Sequence, residues 1–444
     1  MTYPEVKQYL NSLADYEKNI NYSYPETLKL RRIQDFLAII GNPQKSLRVI
    51  HIAGTKGKGS TCALVAYILR AAGFSVGLYT SPHLHDFRER IRILRPFVYN
   101  HRRKNRDFEG MITKDKLISL VKELRPVINK YNRYSKSGQL SFFEVYTALA
   151  FLYFQRKQVD FVVLETGMGG RLDATNAADS LVCGITPISF EHVQKLGNTL
   201  AKISAEKAGI IKNNGAILIS ALQAKVVRKV IYNRCKKFQA RFYEVGRQIK
   251  YSQSKTGLRV KGLKNNYQNL RLSLLGEHQA ANAALAIGLV EALSFCGVNL
   301  SSGAIRQGVY NAVWPGRCEV AARNPLIILD GAQNLASAQI LKRAIRDNFK
   351  YRNLILVLGV SSDKDISGIC KEMDSLADEI ILTRAKTPRA ADPNILAGYF
   401  KRKLYLTPGV KEAKLLAKSL AGKKDLILVT GSLFVVGEFR DVER

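Results

Sequence analysis

No CxxC pair occurs among the six cysteines, Cys62, Cys183, Cys235, Cys296, Cys318 and Cys370. That argues against a zinc site or a dithiol redox motif. A chain of 444 residues needs no disulfides to hold its core, so a reducing, cytoplasmic compartment is expected. Long hydrophobic runs are also missing. The longest uncharged apolar stretch, residues 145–154, falls short of the ~18 residues that suggest a membrane span. The N-terminus carries Glu5, Asp15 and Glu17 and no apolar core, unlike a signal peptide. No internal repeat or low-complexity tract is evident. Acids are scarce: 36 Asp and Glu face 69 Lys and Arg, a net charge of +33. Such a charge bears on partners and solubility rather than on fold.

What is present is the composition of a soluble globular protein, 46% hydrophobic and 24% charged. The length suggests two or three domains at ~100–200 residues each. Residues 4–11 and 26–40 read as helices, the second ended by Gly41-Asn42-Pro43. LRVIHIAG, an apolar β-branched run, then leads into TKGKGS and the helical run TCALVAYILRAAG, followed by SVGLYT. Strand, glycine-rich loop, helix and strand open a parallel α/β sheet. The alternation continues through residues 141–220. Residues 225–264 hold 13 basic residues and one acid, Glu244, with Gly, Ser and Asn breaks. They read as short antiparallel strands. Trp314-Pro315-Gly316 looks like a junction, after which apolar strands and helices alternate again. Two domains are expected, residues 1–311 and 312–444. The second is a smaller open α/β domain carrying 22 basic and 15 acidic residues.

GTKGKGS at 54–60 is the strongest local signal. Glycines let the backbone approach phosphate oxygens and take positive φ. The following helix N-terminus presents free amides and a positive dipole end. Lys58 adds a full charge. The spacing is not the GxxxxGK[ST] of the common P-loop, but a strand precedes it and a helix follows, which favours phosphate binding over a mere turn.

This loop and the blocks after it resemble the dihydrofolate synthase/folylpolyglutamate synthase family of the Mur ligase superfamily. The likeness runs in order through HIAGTKGKGST (51–61), YTSPHL (79–84), RERI (88–91), FFE (142–144), LETGMGGRLDATN (164–176), EHVQKLGNTL (191–200), EKAGIIK (206–212), GEHQAANAALA (276–286), WPGR (314–317) and DGAQN (330–334). It implies a Mur-ligase-like ATPase domain with a mostly parallel sheet and a Rossmann-like C-terminal α/β domain. By resemblance, Gly54, Thr55, Gly57, Lys58, Gly59 and Ser60 hold the ATP phosphates. Asn282, Arg317 and Asp330 match nucleotide contacts. Ser81, Glu144 and His192 match magnesium ligands, and Lys207 matches a lysine that the family carbamylates to bridge a second Mg2+. Lys58, His192 and Lys207 are the catalytic candidates. Read locally, Glu144 sits among Phe142, Phe143 and Val145, where a carboxylate should be paired or metal-bound. The cluster Gly167, Gly169, Gly170, Arg171 and Asp173 is either a strand-end turn or an active-site border.

Three positions depart from the family pattern. Lys56 replaces the asparagine of GTNGKGS, Gln333 replaces the histidine of DGAHN, and Glu191 replaces an aspartate. Lys56 adds a cation beside the phosphates. An amide at 333 can donate a hydrogen bond but cannot be a cation.

The implied reaction is ATP-dependent ligation of L-glutamate to dihydropteroate, to the γ-carboxylate of a reduced folate, or to both, with ATP and Mg2+ as cofactors. The enzyme is expected to act on small molecules as a monomer, without a membrane or a specific nucleic acid. The rival class is a basic nucleic-acid-binding NTPase. Its support is the +33, residues 88–136 with 15 basic and 5 acidic side chains, and the aromatics Tyr232, Phe238, Phe242, Tyr243 and Tyr251 within the second basic stretch. A solvated basic face is the plainer reading of both stretches. A Mur-type ligase of another carboxylate is disfavoured, since about 45 residues before the first strand are too few for a nucleotide-sugar-binding domain.

Overall fold

The computed structural model describes residues 1–17, 24–96, 108–254 and 256–441. Residues 97–107, inside the first basic stretch, lie outside the described residues. The chain divides into two compact units. The first comprises residues 1–82, 88–272 and 280–312; the second comprises 83–87, 273–279 and 313–444.

The first unit is built on seven strands: β1 (Val49–Ala53), β2 (Val76–Tyr79), β3 (Ile91–Leu94), β4 (Phe161–Glu165), β5 (Ser180–Ile185), β6 (Ile217–Ser220) and β7 (Arg241–Glu244). Their order is β3-β2-β4-β1-β5-β6-β7. All neighbours are parallel except β2 and β3. β1 lies between β4 and β5 and is buried along its whole length. Strands covered on both faces read as continuous apolar runs, which is why VIHIA and FVVLE stand out in the sequence. Three further strands, β8 (Lys250–Ser254), β9 (Gly257–Lys261) and β10 (Asn266–Leu270), form a separate antiparallel sheet.

Helices cover the large sheet. Lys58–Ala71 and Phe142–Arg156 are buried over most of their surface. Each fully buried Leu, Ile or Phe contributes roughly 1.5–3 kcal/mol, so these two helices anchor the unit. Lys114–Tyr134 shows the ordinary amphipathic pattern, burying Leu117, Leu120, Val121, Leu124, Ile128 and Tyr131. Glu277–Cys296 is long and apolar enough, by composition, to cross a membrane, but 78% of its apolar window is buried inside the protein. It is a core helix.

Two expectations need correction. Residues 225–264 are not a run of antiparallel strands. Lys225–Lys237 is a helix burying Val227, Ile231 and Cys235, one residue every four, and β7 pairs parallel with β6. Only residues from 250 onward are antiparallel. The single helix expected over 26–40 is two, Tyr24–Thr27 and Leu30–Ile39.

The second unit contains β11 (Glu319–Arg323), β12 (Leu326–Leu329), β13 (Leu354–Leu358), β14 (Glu379–Leu382), β15 (Tyr405–Leu406) and β16 (Leu426–Thr430). Their order is β11-β12-β16-β13-β14-β15. Every neighbouring pair is parallel except β11 with β12. Its core gathers Ile328, Leu341, Ile345, Leu356, Ile369, Met373, Leu382 and Leu428. Both units are mixed α/β with mostly parallel sheets.

Candidate active site

β1 delivers the glycine-rich loop to the C-terminal edge of the first sheet, where open α/β sheets bind ligands. Gly57 caps the Lys58–Ala71 helix with φ +86° and no side-chain cap hydrogen bond. A side chain there would both strain the backbone and strike the Asn282 amide. The loop and Asn282 are therefore in contact, as close as glycine allows. Lys58, Gly59 and Ser60 form the first helical turn, where the positive end of the helix dipole lies.

The loop is tied to residues 187–191. The Thr55 and Lys56 amides donate to the Pro187 carbonyl at 3.1 and 3.3 Å. The Thr55 hydroxyl donates to the Ser189 carbonyl and accepts from the Ser189 amide, each at 3.2 Å. Lys56 Nζ donates to Glu191 Oε1 at 2.7 Å. Glu191 is held down to about 2, against its own burial, chiefly by Lys56 and then by Lys58 and His192. His192 follows with φ +52°, at the start of Val193–Leu196. A non-glycine residue in the left-handed region is uncommon and often functional.

Lys207 lies on the Leu200–Ala208 helix and is buried. Its Nζ donates to the Gly54 carbonyl at 2.6 Å. Burial, then the Lys58 charge, pull its amine far below an ordinary lysine, to about 7. Glu191 and Asp173 oppose that shift and Lys56 adds to it. Asp173 accepts from the Met168 amide at 2.9 Å and from the Thr175 amide and hydroxyl at 3.1 and 2.5 Å. The Thr175 hydroxyl also meets His51 Nε2 at 2.8 Å. Burial drives His51 down to about 3, so this histidine in the middle of β1 stays neutral beside Thr175. The turn that carries Gly170 and Arg171 packs on the Lys207 helix, with the Arg171 amide donating to the Glu206 carbonyl at 2.8 Å.

Glu144 does not join this group. It completes a capping box with Ser141. Its carboxylate accepts from the Ser141 amide at 2.8 Å, the Ser141 hydroxyl at 2.6 Å, and Arg32 Nε at 2.8 and 3.0 Å. Both partners of the ion pair are buried. The carboxylate beside Ser81 is instead Glu165, the last residue of β4, whose Oε2 accepts the Ser81 amide at 3.2 Å. Burial first, then Glu165, push the Cys62 thiol up, and Lys58 opposes them.

In the second unit, the half-buried Asp330 follows β12. It accepts from the Cys318 and Ala332 amides at 2.7 and 2.8 Å. Burial raises its carboxyl and Arg317 opposes that rise. His278, in the same unit, is held down to about 4 by burial and by Arg317.

Two family models match the chain: "Mur ligase middle domain" over residues 114–290 and "Mur ligase, glutamate ligase domain" over 316–433. The dihydrofolate synthase/folylpolyglutamate synthase of Bacillus subtilis is 32% identical, the match covering 93% of this chain and 94% of that protein. The chain belongs to the dihydrofolate synthase/folylpolyglutamate synthase family. Solved structures agree. Mycobacterium tuberculosis folylpolyglutamate synthase complexed with ADP superposes with a TM-score of 0.86 at 32% identity, covering 99% of this chain and 98% of that one. Escherichia coli FolC in complex with DHPP and ADP gives 0.83 at 28%, covering 100% and 98%. The fold is that of the Mur ligases.

Within this family frame, the structure gathers the loop residues, Lys207 and Asn282 into one neighbourhood. Ser81 and Glu165 stand together, and the Arg317 charge bears on Asp330 within the second unit. Sequence reasoning passed over Glu165, His51 and the Lys56–Glu191 contact. Glu165 had a visible signal: it ends an apolar strand and precedes the glycine turn.

Proposed function

We propose that this chain is an ATP-dependent amide ligase that joins L-glutamate to dihydropteroate, to the γ-carboxylate of a reduced folate, or to both. The observation that carries the reading is the uncapped loop after β1, with Lys58 in its first helical turn and Lys207 buried against Gly54. A carboxylate is a poor electrophile because its carbonyl carbon is shielded by negative charge. Transfer of the γ-phosphoryl group of ATP makes an acyl phosphate with a good leaving group. The loop amides and Lys58 stabilise charge on the transferring oxygens. The amine of glutamate attacks the acyl carbon, a tetrahedral intermediate forms, and phosphate leaves. Asn282, Arg317 and Asp330 are proposed nucleotide contacts.

Ser81, Glu165 and His192 are the proposed magnesium ligands, with Glu165 taking the place expected of Glu144. The donor set fits: a hydroxyl and a carboxylate supply hard oxygens, and Mg2+ takes few protein ligands beside water and phosphate. Glu144 does not fit, because Arg32 and Ser141 already engage its carboxylate. When bound, Mg2+ would offset negative charge on the transferring phosphoryl group. Lys207 suits carbamylation because its amine is neutral in good part near pH 7, and only a neutral amine adds to CO2.

The family relatives favour this reading over a nucleic-acid-binding NTPase or a Mur-type ligase of another carboxylate. We place the enzyme in the cytoplasm, as a monomer acting on small molecules. The test is phosphate release with ATP, glutamate and either dihydropteroate or tetrahydrofolate. Release that needs all three supports the ligase. ATP hydrolysis indifferent to folate but stimulated by nucleic acid at physiological salt overturns it.

A further inference from the structure

The ammonium of Lys56 does not hang free beside the phosphate loop. It contacts Glu191 at 2.7 Å, with side-chain exposures of 43% and 23%. Both residues stand where this chain departs from its family's usual sequence, each with a longer side chain. The two departures meet in one ion pair.

The surroundings give that pair a direction. Inward from it, the Lys56 and Thr55 amides hold the Pro187 carbonyl, and the Thr55 hydroxyl exchanges hydrogen bonds with Ser189. The ion pair is the outermost rung of a ladder between the phosphate loop and residues 187–191. His192 comes next in the chain, in a left-handed backbone conformation. A segment in that conformation must be held from outside itself.

We propose that Lys56 and Glu191 act as one positioning pair, which fixes the segment ending at His192 against the phosphate loop and so shapes the nucleotide site. This rests on the ligase reading. Neither residue is a catalytic residue. The competing assignment makes Lys56 a direct phosphate cation that Glu191 merely restrains.

The two assignments predict opposite signs for one variant. If the residues work as a pair, Lys56→Ala and Glu191→Gln both weaken ADP binding, by ~3-fold to ~10-fold for a half-exposed ion pair. The double variant is then no weaker than the weaker single. If Lys56 binds phosphate directly, Glu191→Gln frees the ammonium and tightens ADP, while Lys56→Ala weakens it.

The experiment is calorimetric titration of ADP into the full-length wild type, both singles, the double, and Lys56→Arg, with the KM for ATP measured alongside. The expected result is two losses of the same sign, a non-additive double, and near-wild-type affinity in Lys56→Arg, which keeps the charge and the reach. Opposite signs, additive losses or two silent singles overturn the proposal. Should either variant fail to fold, Lys56→Met and Glu191→Met carry the same comparison. A wild type that ligates glutamate while the pair behaves additively removes only this inference. A wild type that neither binds ADP nor ligates removes the ligase reading and the inference with it.

Discussion

The loop after β1 and the loop after β12 both leave the C-terminal ends of strands in mostly parallel sheets, yet they handle charge in opposite ways. After β1, the charges of Lys58 and Lys56 both bear on the Lys207 amine. The protein accommodates these lysines by pairing one with Glu191 and by lowering another toward neutrality. After β12, a single carboxylate, Asp330, is partly exposed and held by two backbone amides. On the ligase reading, the first loop is the one that would receive negative charge from outside. The second supplies its own negative charge and fixes it. Similar strand ends thus carry dissimilar chemistry, because the residues after the strand, not the strand, set the sign.

The hardest blow to this contrast is Lys58→Ala. Losing one stabilising group in a preorganised site costs about 10²–10³ in rate. A folded variant with near-normal turnover would remove the first loop from phosphate chemistry.

Lys207 comes next. Lys207→Ala should be nearly inactive, and small carboxylates in solution should partly restore it if a carbamate is what was lost. Lys207→Arg should stay inactive, since guanidinium remains charged and is a poor partner for CO2. The pH sign follows from the lowered amine. Because the folded group deprotonates near 7, CO2-depleted enzyme should recover at a fixed concentration of dissolved CO2 more readily as pH rises through 7. An ordinary lysine would need pH near ~10. Recovery that is flat between pH 6 and 8 would count against the carbamate.

Two carboxylates then sharpen the comparison inside the first unit. Glu144→Gln breaks a buried ion pair and should cost ~3–5 kcal/mol of stability, read as a lowered denaturation midpoint. Glu165→Gln should leave that midpoint nearly unchanged and abolish the response of turnover to Mg2+. Swapped outcomes would return the metal to Glu144.

Asp330→Asn is expected to have the smallest effect. The amide oxygen can still accept a backbone hydrogen bond, so the loss is that of one charge-assisted bond, ~1–3 kcal/mol. A modest fall in nucleotide affinity with the fold intact is the expected reading, and unchanged affinity would leave Asp330 purely structural.

Much of this was legible beforehand, for physical reasons. Strands buried on both faces must be apolar throughout, so VIHIA, FVVLE and LILVL announced themselves. A glycine loop between such a strand and a helix has few other uses. What was not legible was partnership. Glu144 and Glu165 both sit in apolar runs, and each needed a partner. That Arg32 takes one and Ser81 stands by the other depends on tertiary placement. In residues 225–237 the density of charge hid the spacing of Val227, Ile231 and Cys235, which are the buried positions of a helix. Charge on a solvated face says nothing about period, whereas the apolar minority does.

The central place of β1 has a consequence for how the protein is made. Its neighbours β4 and β5 begin at Phe161 and Ser180, so a ribosome has long passed the glycine loop before either wall of its strand exists. Until then Ile52 has no Glu165 opposite it, Ala53 has no Ile185, and the Gly54 carbonyl waits for Lys207. Such distant pairings are slow to form. The nascent chain therefore carries this loop and its two lysines unfinished through much of synthesis, and nucleotide capture belongs to the end of folding rather than to its beginning.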